Sequence, residues 1–263
     1  MINEFKNLLR ILNNYELWLN MARCKLRVRY LRTKLGPIWE ILGTLILLLC
    51  IAFIWSKLWK EDFIEFFPYL FFGYIIWKTI VSIINEATML FSEIYKNLLE
   101  NVYIHPFTLC VAIVCKNFFV LLGFVGCSIL ILIFTKKIFL LSIIFVIIYL
   151  LLFFISAVSL TLLLATLCLR FRDMQHAINV ILTLLFFFTP IIWNADQLSE
   201  ANKIILVDTN IAYHYIEFFR SSLLFGHPTT KNFLVVLIST LILLMTSLYV
   251  SKKFSRRLTF WLV

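Results

Sequence analysis

The stretch Leu167–Trp193 reads LCLRFRDMQHAINVILTLLFFFTPIIW. An apolar run arriving from upstream stops at Arg170, Phe171, Arg172 and Asp173, and Met174, Gln175 and His176 complete a polar corner. Charge this dense is expensive in hydrocarbon, so Arg170–His176 marks a membrane surface between two spans. The apolar run resumes at Ala177 and reaches Thr189-Pro190, with Ile191, Ile192 and Trp193 behind it. Pro190 has no backbone donor, so it kinks or ends the second span. Trp193 suits the opposite interface, where an amphipathic ring is half wet.

Composition extends this reading to the whole chain. Of 263 residues, 62% are hydrophobic and 14% charged, whereas a soluble domain has about half and about a quarter. An all-α integral membrane protein follows. The formal net charge of +10 would also fit a nucleic-acid binder, but its distribution answers to membrane orientation, and no nucleic-acid partner is expected. Cys24, Cys50, Cys110, Cys115, Cys127 and Cys168 make no Cys-x-x-Cys pair, so they read as inert thiols rather than zinc ligands or disulfides. His105, His176, His214 and His227 are scattered among loops, and no metal site is expected.

Residues 1–36 are too charged to span. Phe5, Leu8, Leu9, Ile11 and Leu12 recur at helical spacing, and Leu17, Trp18 and Met21 precede Arg23, Lys25, Arg27, Arg29, Arg32 and Lys34. This is a cytoplasmic amphipathic region that lies in the headgroup plane or simply anchors the chain positive-inside. It is not a secretory signal, because no small-residue cleavage site follows the first apolar run.

Residues 37–263 read as a permease-like domain of six spans. The first is Ile38–Trp55, with Glu40 near the interface and solvated. Ser56–Phe67 is an outer loop, and Pro68–Ile84 is the second span, rich in aromatics and carrying Lys78. A charge at that depth needs a partner or water, so Lys78 is either a pathway or interface residue or a paired structural lysine. Asn85–His105 returns to the first side, with Ile94, Leu98 and Val102 on one helical face. Lys116-Asn117 interrupts the next apolar run, placing Thr108–Lys116 at the interface and the third span at Phe118–Phe134. Ile138–Leu169 carries no charge and nothing polar enough to turn in water, so it is one long tilted helix. The fifth span is Ala177–Trp193 and the sixth Phe233–Val250. Between them, the external segment 194–232 is too apolar to float free and should dip into the interface or pack on the spans.

With both termini in the cytoplasm, fifteen Lys and Arg fall inside and seven outside, with Lys78 and Lys116 remaining. That is the positive-inside asymmetry.

The Phe171-Arg172-Asp173 corner, the apolar helix ending Thr189-Pro190-Ile191-Ile192, and the basic entry followed by Leu35-Gly36-Pro37-Ile38-Trp39 together resemble the membrane subunit of bacterial ABC exporters for polysaccharides. That family moves O-antigen, capsule or teichoic-acid chains, usually on a lipid carrier. The resemblance implies that Asn97, Leu98, Asn101, Val102, Tyr103 and Pro106 contact an ATPase. It also implies that Ile216-Glu217-Phe218-Phe219-Arg220 belongs to re-entrant helices gating the outer mouth, with Glu217 and Arg220 as gate residues. Two departures stand out: Thr44 replaces a usual Pro in the first span, and Asn210-Ile211 replaces Asn-Pro before the gate helix. Arg170, Arg172 and Asp173 form the cytoplasmic corner. The expected lining of a translocation path is Tyr69, Phe72, Tyr74, Trp77, Phe186, Phe187 and Phe188, rings able to pack on sugar C–H faces.

No Gly-x-x-x-x-Gly-Lys-Ser/Thr loop, His-Glu-x-x-His helix or Gly-x-Ser-x-Gly elbow occurs in the sequence. The chain is therefore expected to be no enzyme and to bind no cofactor, with ATP-Mg held by a separate ATPase. The resemblance implies a permease pairing with a second copy of itself and two ATPase subunits. Its cargo would be a polysaccharide or an undecaprenyl-type lipid-linked glycan, moved through the bacterial inner membrane among the membrane lipids. Two alternatives remain at this point: the same machine with a drug, haem or lipid as cargo, and a membrane-embedded glycan or lipid transferase. The transferase needs an acidic cluster, and only Glu40 and Glu86 lie near spans.

Overall fold

The structure is a computed structural model that describes residues 14–91, 105–135, 140–171, 173–195 and 198–254. Among the described residues eight helices carry the fold: α1 (Tyr15–Arg29), α2 (Ile38–Trp59), α3 (Phe63–Thr88), α4 (Pro106–Phe134), α5 (Leu140–Arg170), α6 (Met174–Phe188), α7 (Ile211–Phe225) and α8 (Thr230–Phe254). A short α-helical turn, Glu200–Lys203, runs into a π-helical turn, Ile204–Asp208, ahead of α7. Among the described residues five helices, α2, α3, α4, α5 and α8, are long and apolar enough to cross a membrane, and α6 is a shorter apolar helix. The protein is an all-helical, multi-pass membrane protein with a short re-entrant-like helix, α7, between the last two membrane helices.

α3 is the hub. It packs against α2, α4, α5, α6 and α7. Its most apolar window is 56% buried, against 17% for α2, which touches the bundle along one face only. That face is Thr44, Leu48, Ala52 and Ser56, four residues apart each time, as one side of a helix requires. α3 starts five residues before the expected Pro68. Asp62 caps it, its side chain accepting from Ile64 N at 3.2 Å. Phe66 then stacks edge-on to Trp59, so the turn between α2 and α3 shrinks to residues 60–62 and the expected outer loop Ser56–Phe67 is largely helix.

The break expected at Lys116-Asn117 is absent. α4 is one helix of 29 residues, and Thr108, Lys116 and Asn117 are buried rather than interfacial. Lys116 pairs with Glu86, and the Asn117 side chain donates to the Ile113 carbonyl at 3.0 Å and accepts from Ser82 Oγ at 2.7 Å. Polar residues that satisfy one another inside a bundle leave no reason for a helix to stop. α5 is the single long helix expected. Its 31 residues span roughly 46 Å, more than the ~30 Å hydrocarbon core, so it tilts.

α6 is shorter than the expected span Ala177–Trp193. It begins at Met174, ends at Phe188, and the chain leaves it extended at Thr189. The 194–232 segment packs onto the spans as its composition required: Ile216, Phe218 and Phe219 of α7 are fully buried, and Tyr149 of α5 meets both phenyl rings at 5.3 Å.

Candidate functional site

The early end of α6 at Pro190 exposes backbone that something must satisfy. The Pro190 carbonyl accepts from Arg220 Nη2 at 3.1 Å. Thr189 Oγ1 donates to Leu185 O at 2.6 Å and accepts from Asn210 Nδ2 at 2.8 Å. The Trp193 indole folds back to donate to Phe187 O at 3.2 Å, and its own carbonyl accepts from Tyr69 at 3.3 Å. Asn210, standing where the resemblance expected Asn-Pro, caps α7 by accepting from Tyr213 N.

Arg220 and Glu217, expected at an outer gate, form an ion pair within α7 that leaves Arg220 fully buried. Arg220 is 1% exposed, pairs with Glu217 at 3.1 Å and stacks its guanidinium 3.8 Å from the Tyr69 ring centroid. It fits because Gly73 on α3 has no side chain, and a Cβ there would collide with the guanidinium. Arg220 thus ties α7 to α3 and to the broken end of α6. Tyr69 belongs to this knot, and Phe72 is fully enclosed in the core.

Four of the other expected lining rings do come together. Tyr74, Trp77, Phe186 and Phe187 line a groove of about 500 Å³ between α3 and α6, with Lys78, Asn85, Asn179 and Thr183 among its polar walls. Trp77 and Phe186 are 5.9 Å apart, centroid to centroid. Phe188, 52% exposed, stands outside this groove.

Lys78 is held at the groove by a network that reaches α1. Its ammonium donates to Thr44 Oγ1 at 2.6 Å and lies 3.4 Å from Glu40, which also pairs with Arg29 at 3.4 Å and accepts from the Tyr30 hydroxyl. Glu40 is therefore enclosed by partners rather than solvated. Burial first, then the bond to Glu40, pushes the Tyr30 hydroxyl up to about 12, so it stays a donor. Thr44, where a proline was expected, is an acceptor for Lys78 and itself donates to Glu40 O at 2.7 Å. His214, read as a loop residue, lies inside α7, 1% exposed, with Nδ1 2.7 Å from the Asn232 side chain and Nε2 3.0 Å from the Asp208 carbonyl. Nothing in its local sequence distinguished it from a loop histidine.

Of the expected ATPase contacts, Pro106 is the first residue of α4, behind the His105 cap. Asn97, Leu98, Asn101, Val102 and Tyr103 lie outside the described residues, as does Arg172 of the corner. Arg170 ends α5, over the Phe171 ring at 5.2 Å, and Asp173 precedes α6. No group of three or more His, Cys, Asp or Glu able to hold a metal occurs among the described residues.

A sequence model of the ABC-2 type transporter family matches residues 15–224. The chain belongs to the ABC-2 type transporter family. The match opens at the first residue of α1 and closes one residue short of the end of α7, so it takes in the groove, the Glu40 network and the Arg220 knot. Comparison with curated proteins finds no significant match. This ABC-2 permease is a transport subunit, and ABC-2 permeases pair with ABC ATPase subunits that supply the hydrolysis.

Proposed function

We propose that this permease exports a polysaccharide or lipid-linked glycan. The observation that carries the reading is the α3–α6 groove, where Tyr74, Trp77, Phe186 and Phe187 alternate with Lys78, Asn85, Asn179 and Thr183. Flat rings pack on sugar C–H faces without fixing one hydroxyl, and amide and hydroxyl groups exchange hydrogen bonds as a chain slides. The Phe171-Arg172-Asp173 corner and the Thr189-Pro190 helix end, which resemble glycan exporters, support the same cargo.

Two copies of the permease face each other and two ATPase subunits bind ATP-Mg below them. The membrane is the bacterial inner membrane, with both termini cytoplasmic, consistent with the lysine and arginine bias. The segment holding Asn97, Leu98, Asn101, Val102 and Tyr103, which ends at Pro106, receives the push of ATPase closure. Arg170, Arg172 and Asp173 stay at the cytoplasmic surface.

The test is glycan export in cells, read together with co-purification of the ATPase. Trp77→Ala with Phe186→Ala should cut surface glycan severalfold while the ATPase still co-purifies. Leu98→Ala with Val102→Ala should do the reverse, losing the ATPase, since truncating interface anchors can cost about 2 kcal/mol or more. Unchanged glycan display in the groove variant, with export of a drug, haem or free lipid reduced instead, would transfer the cargo to that class.

A further inference from the structure

α5 and α8 run side by side in the same direction. Residues 153–160 of α5 share one space with residues 239–243 of α8, and residues 163–171 share a second with Val250. The second is a groove of about 290 Å³, open along one side and walled by Leu163, Leu164, Leu167 and Val250. Its hydroxyl is committed, since Thr166 Oγ1 donates to Leu163 O at 2.9 Å. Arg170 and Phe171 close the end at which α5 stops. From Leu163 to Arg170 the helix rises about 10 Å, most of one leaflet's share of a hydrocarbon core about 30 Å thick. Leu167, Phe171 and Tyr249 at the groove are exposed, so its wall continues into the apolar surface that meets lipid.

The rim above this groove is cationic. Arg170 lies over the Phe171 ring at 5.2 Å and Lys253 over the Tyr249 ring at 5.8 Å, with Lys252 in the same last turn of α8. Aromatic rings at a helix end sit at headgroup level. A guanidinium stacked on a ring keeps its donors in its own plane, where they suit a phosphate. Over residues 167–176 and 249–263 the sequence sets Arg170, Arg172, Lys252, Lys253, Arg256 and Arg257 against one acidic side chain, Asp173. Both helices end here, and each dipole brings roughly half a negative charge to the rim. The cation excess is several times larger, so the rim attracts an anion.

We propose that the α5–α8 groove is a binding site for an anionic glycerophospholipid of the surrounding membrane, with its phosphate at Arg170 and one acyl chain along Leu163, Leu167 and Val250. The open side is what such an occupant requires, because its second chain stays in the bilayer. The rim selects the headgroup by charge, and the groove fixes where the lipid stands. The bound lipid is a resident that joins the ends of α5 and α8, not cargo. It lies away from the α3–α6 groove and holds whatever the permease exports.

The experiment uses the full-length permease in detergent micelles and two probes that differ only in headgroup. These are phosphatidylglycerol and phosphatidylcholine, each with a diazirine near the middle of one acyl chain. After photolysis, labelled peptides are mapped. Phosphatidylglycerol should label Leu163–Leu167 and Val250 at least fivefold more than phosphatidylcholine, taking about fivefold for each basic residue that meets the headgroup. Arg170→Gln should lower that preference about fivefold, and Arg170→Lys should keep it. Lys57→Gln with Lys60→Gln, at the opposite rim, should leave it unchanged. Val250→Trp, or Leu167→Trp if the first does not fold, should remove the groove label of both probes by filling the space. Equal labelling by the two probes would overturn the proposal. So would label spread evenly over the exposed faces of α2 and α8, or a preference that survives both Arg170→Gln and Lys252→Gln with Lys253→Gln. A groove left unlabelled, because another part of the chain or a second copy covers it, would overturn it as well.

Discussion

Arg220 is among the largest side chains buried below 2% exposure in the described residues, and its surroundings explain how a charge survives there. Glu217 neutralises it, the Pro190 carbonyl accepts a hydrogen bond from it, and the Tyr69 ring covers the planar face. Breaking such a buried pair by removing one partner typically costs about 3–5 kcal/mol. Gly73 supplies the space, so Gly73→Ala should lower the unfolding temperature of the purified permease by the equivalent of about 1–3 kcal/mol. Gly126→Ala, whose Cβ meets open space, should leave it unchanged or raised, because alanine is the better helix former. In an Arg220→Met background the Gly73→Ala penalty should shrink, since the group it collides with is gone. Additive penalties in that cycle would separate the two residues. Glu40 acts at the same scale on the other side of the groove. Glu40→Gln leaves Arg29 and Lys78 without a carboxylate, and trypsin should then cut after Arg29 severalfold faster than in the parent protein.

At the scale of elements, α6 and α7 depend on each other. A 15-residue helix is about 22 Å long, short of a bilayer core of about 30 Å. What completes α6 is the bonded bend of Thr189 to Trp193, held by Asn210 and Arg220 of the α7 side. Asn210→Ala removes both the α7 cap and the donor to Thr189, so it should cost about 1–2 kcal/mol in the same unfolding assay. It should also raise hydrogen exchange at the α6 end and the α7 start together. Protection lost in only one of the two would break the link. α1 is joined to the groove in the same way, through Arg29, Tyr30, Glu40 and Lys78.

At the scale of the whole molecule, α3 sits among five partners while α2 shows most of its apolar surface to its surroundings, with Ile46, Leu47, Phe53 and Ile54 exposed. The charge count fixes an expected topology, sharpened by the burial of Arg220, which no longer counts among outer aqueous cations. Single cysteines in a cysteine-free variant should react with an impermeant reagent from outside at Asp62 and Lys203 and remain silent at Lys34, Asp173 and Lys253. External reaction at Asp173 would invert the arrangement. The purified permease should show no ATP turnover without its ATPase, because the sequence holds no phosphate-binding loop.

Hydrocarbon is an unforgiving solvent, and this made the class of fold legible from residues alone. Apolar runs and the Arg170–His176 corner placed most of the membrane helices and the single α5, because each charged residue has few places to go in a bilayer. The sequence also carried the packing of 194–232, since its aromatics needed cover. What only the tertiary structure decided was where polar residues find each other. Lys116-Asn117 looked like a boundary and is an interior pair with Glu86 and Ser82. Glu40 looked solvated and joins three elements. Arg220 lies in a segment that reads as external, and it is a buried tie. Tyr74, Trp77, Phe186 and Phe187 share a groove, while Phe72, on the same helix as Trp77, faces the core. Cost in a membrane is set by a residue alone, but compensation is set by its neighbours, and those neighbours lie tens of residues away along the chain.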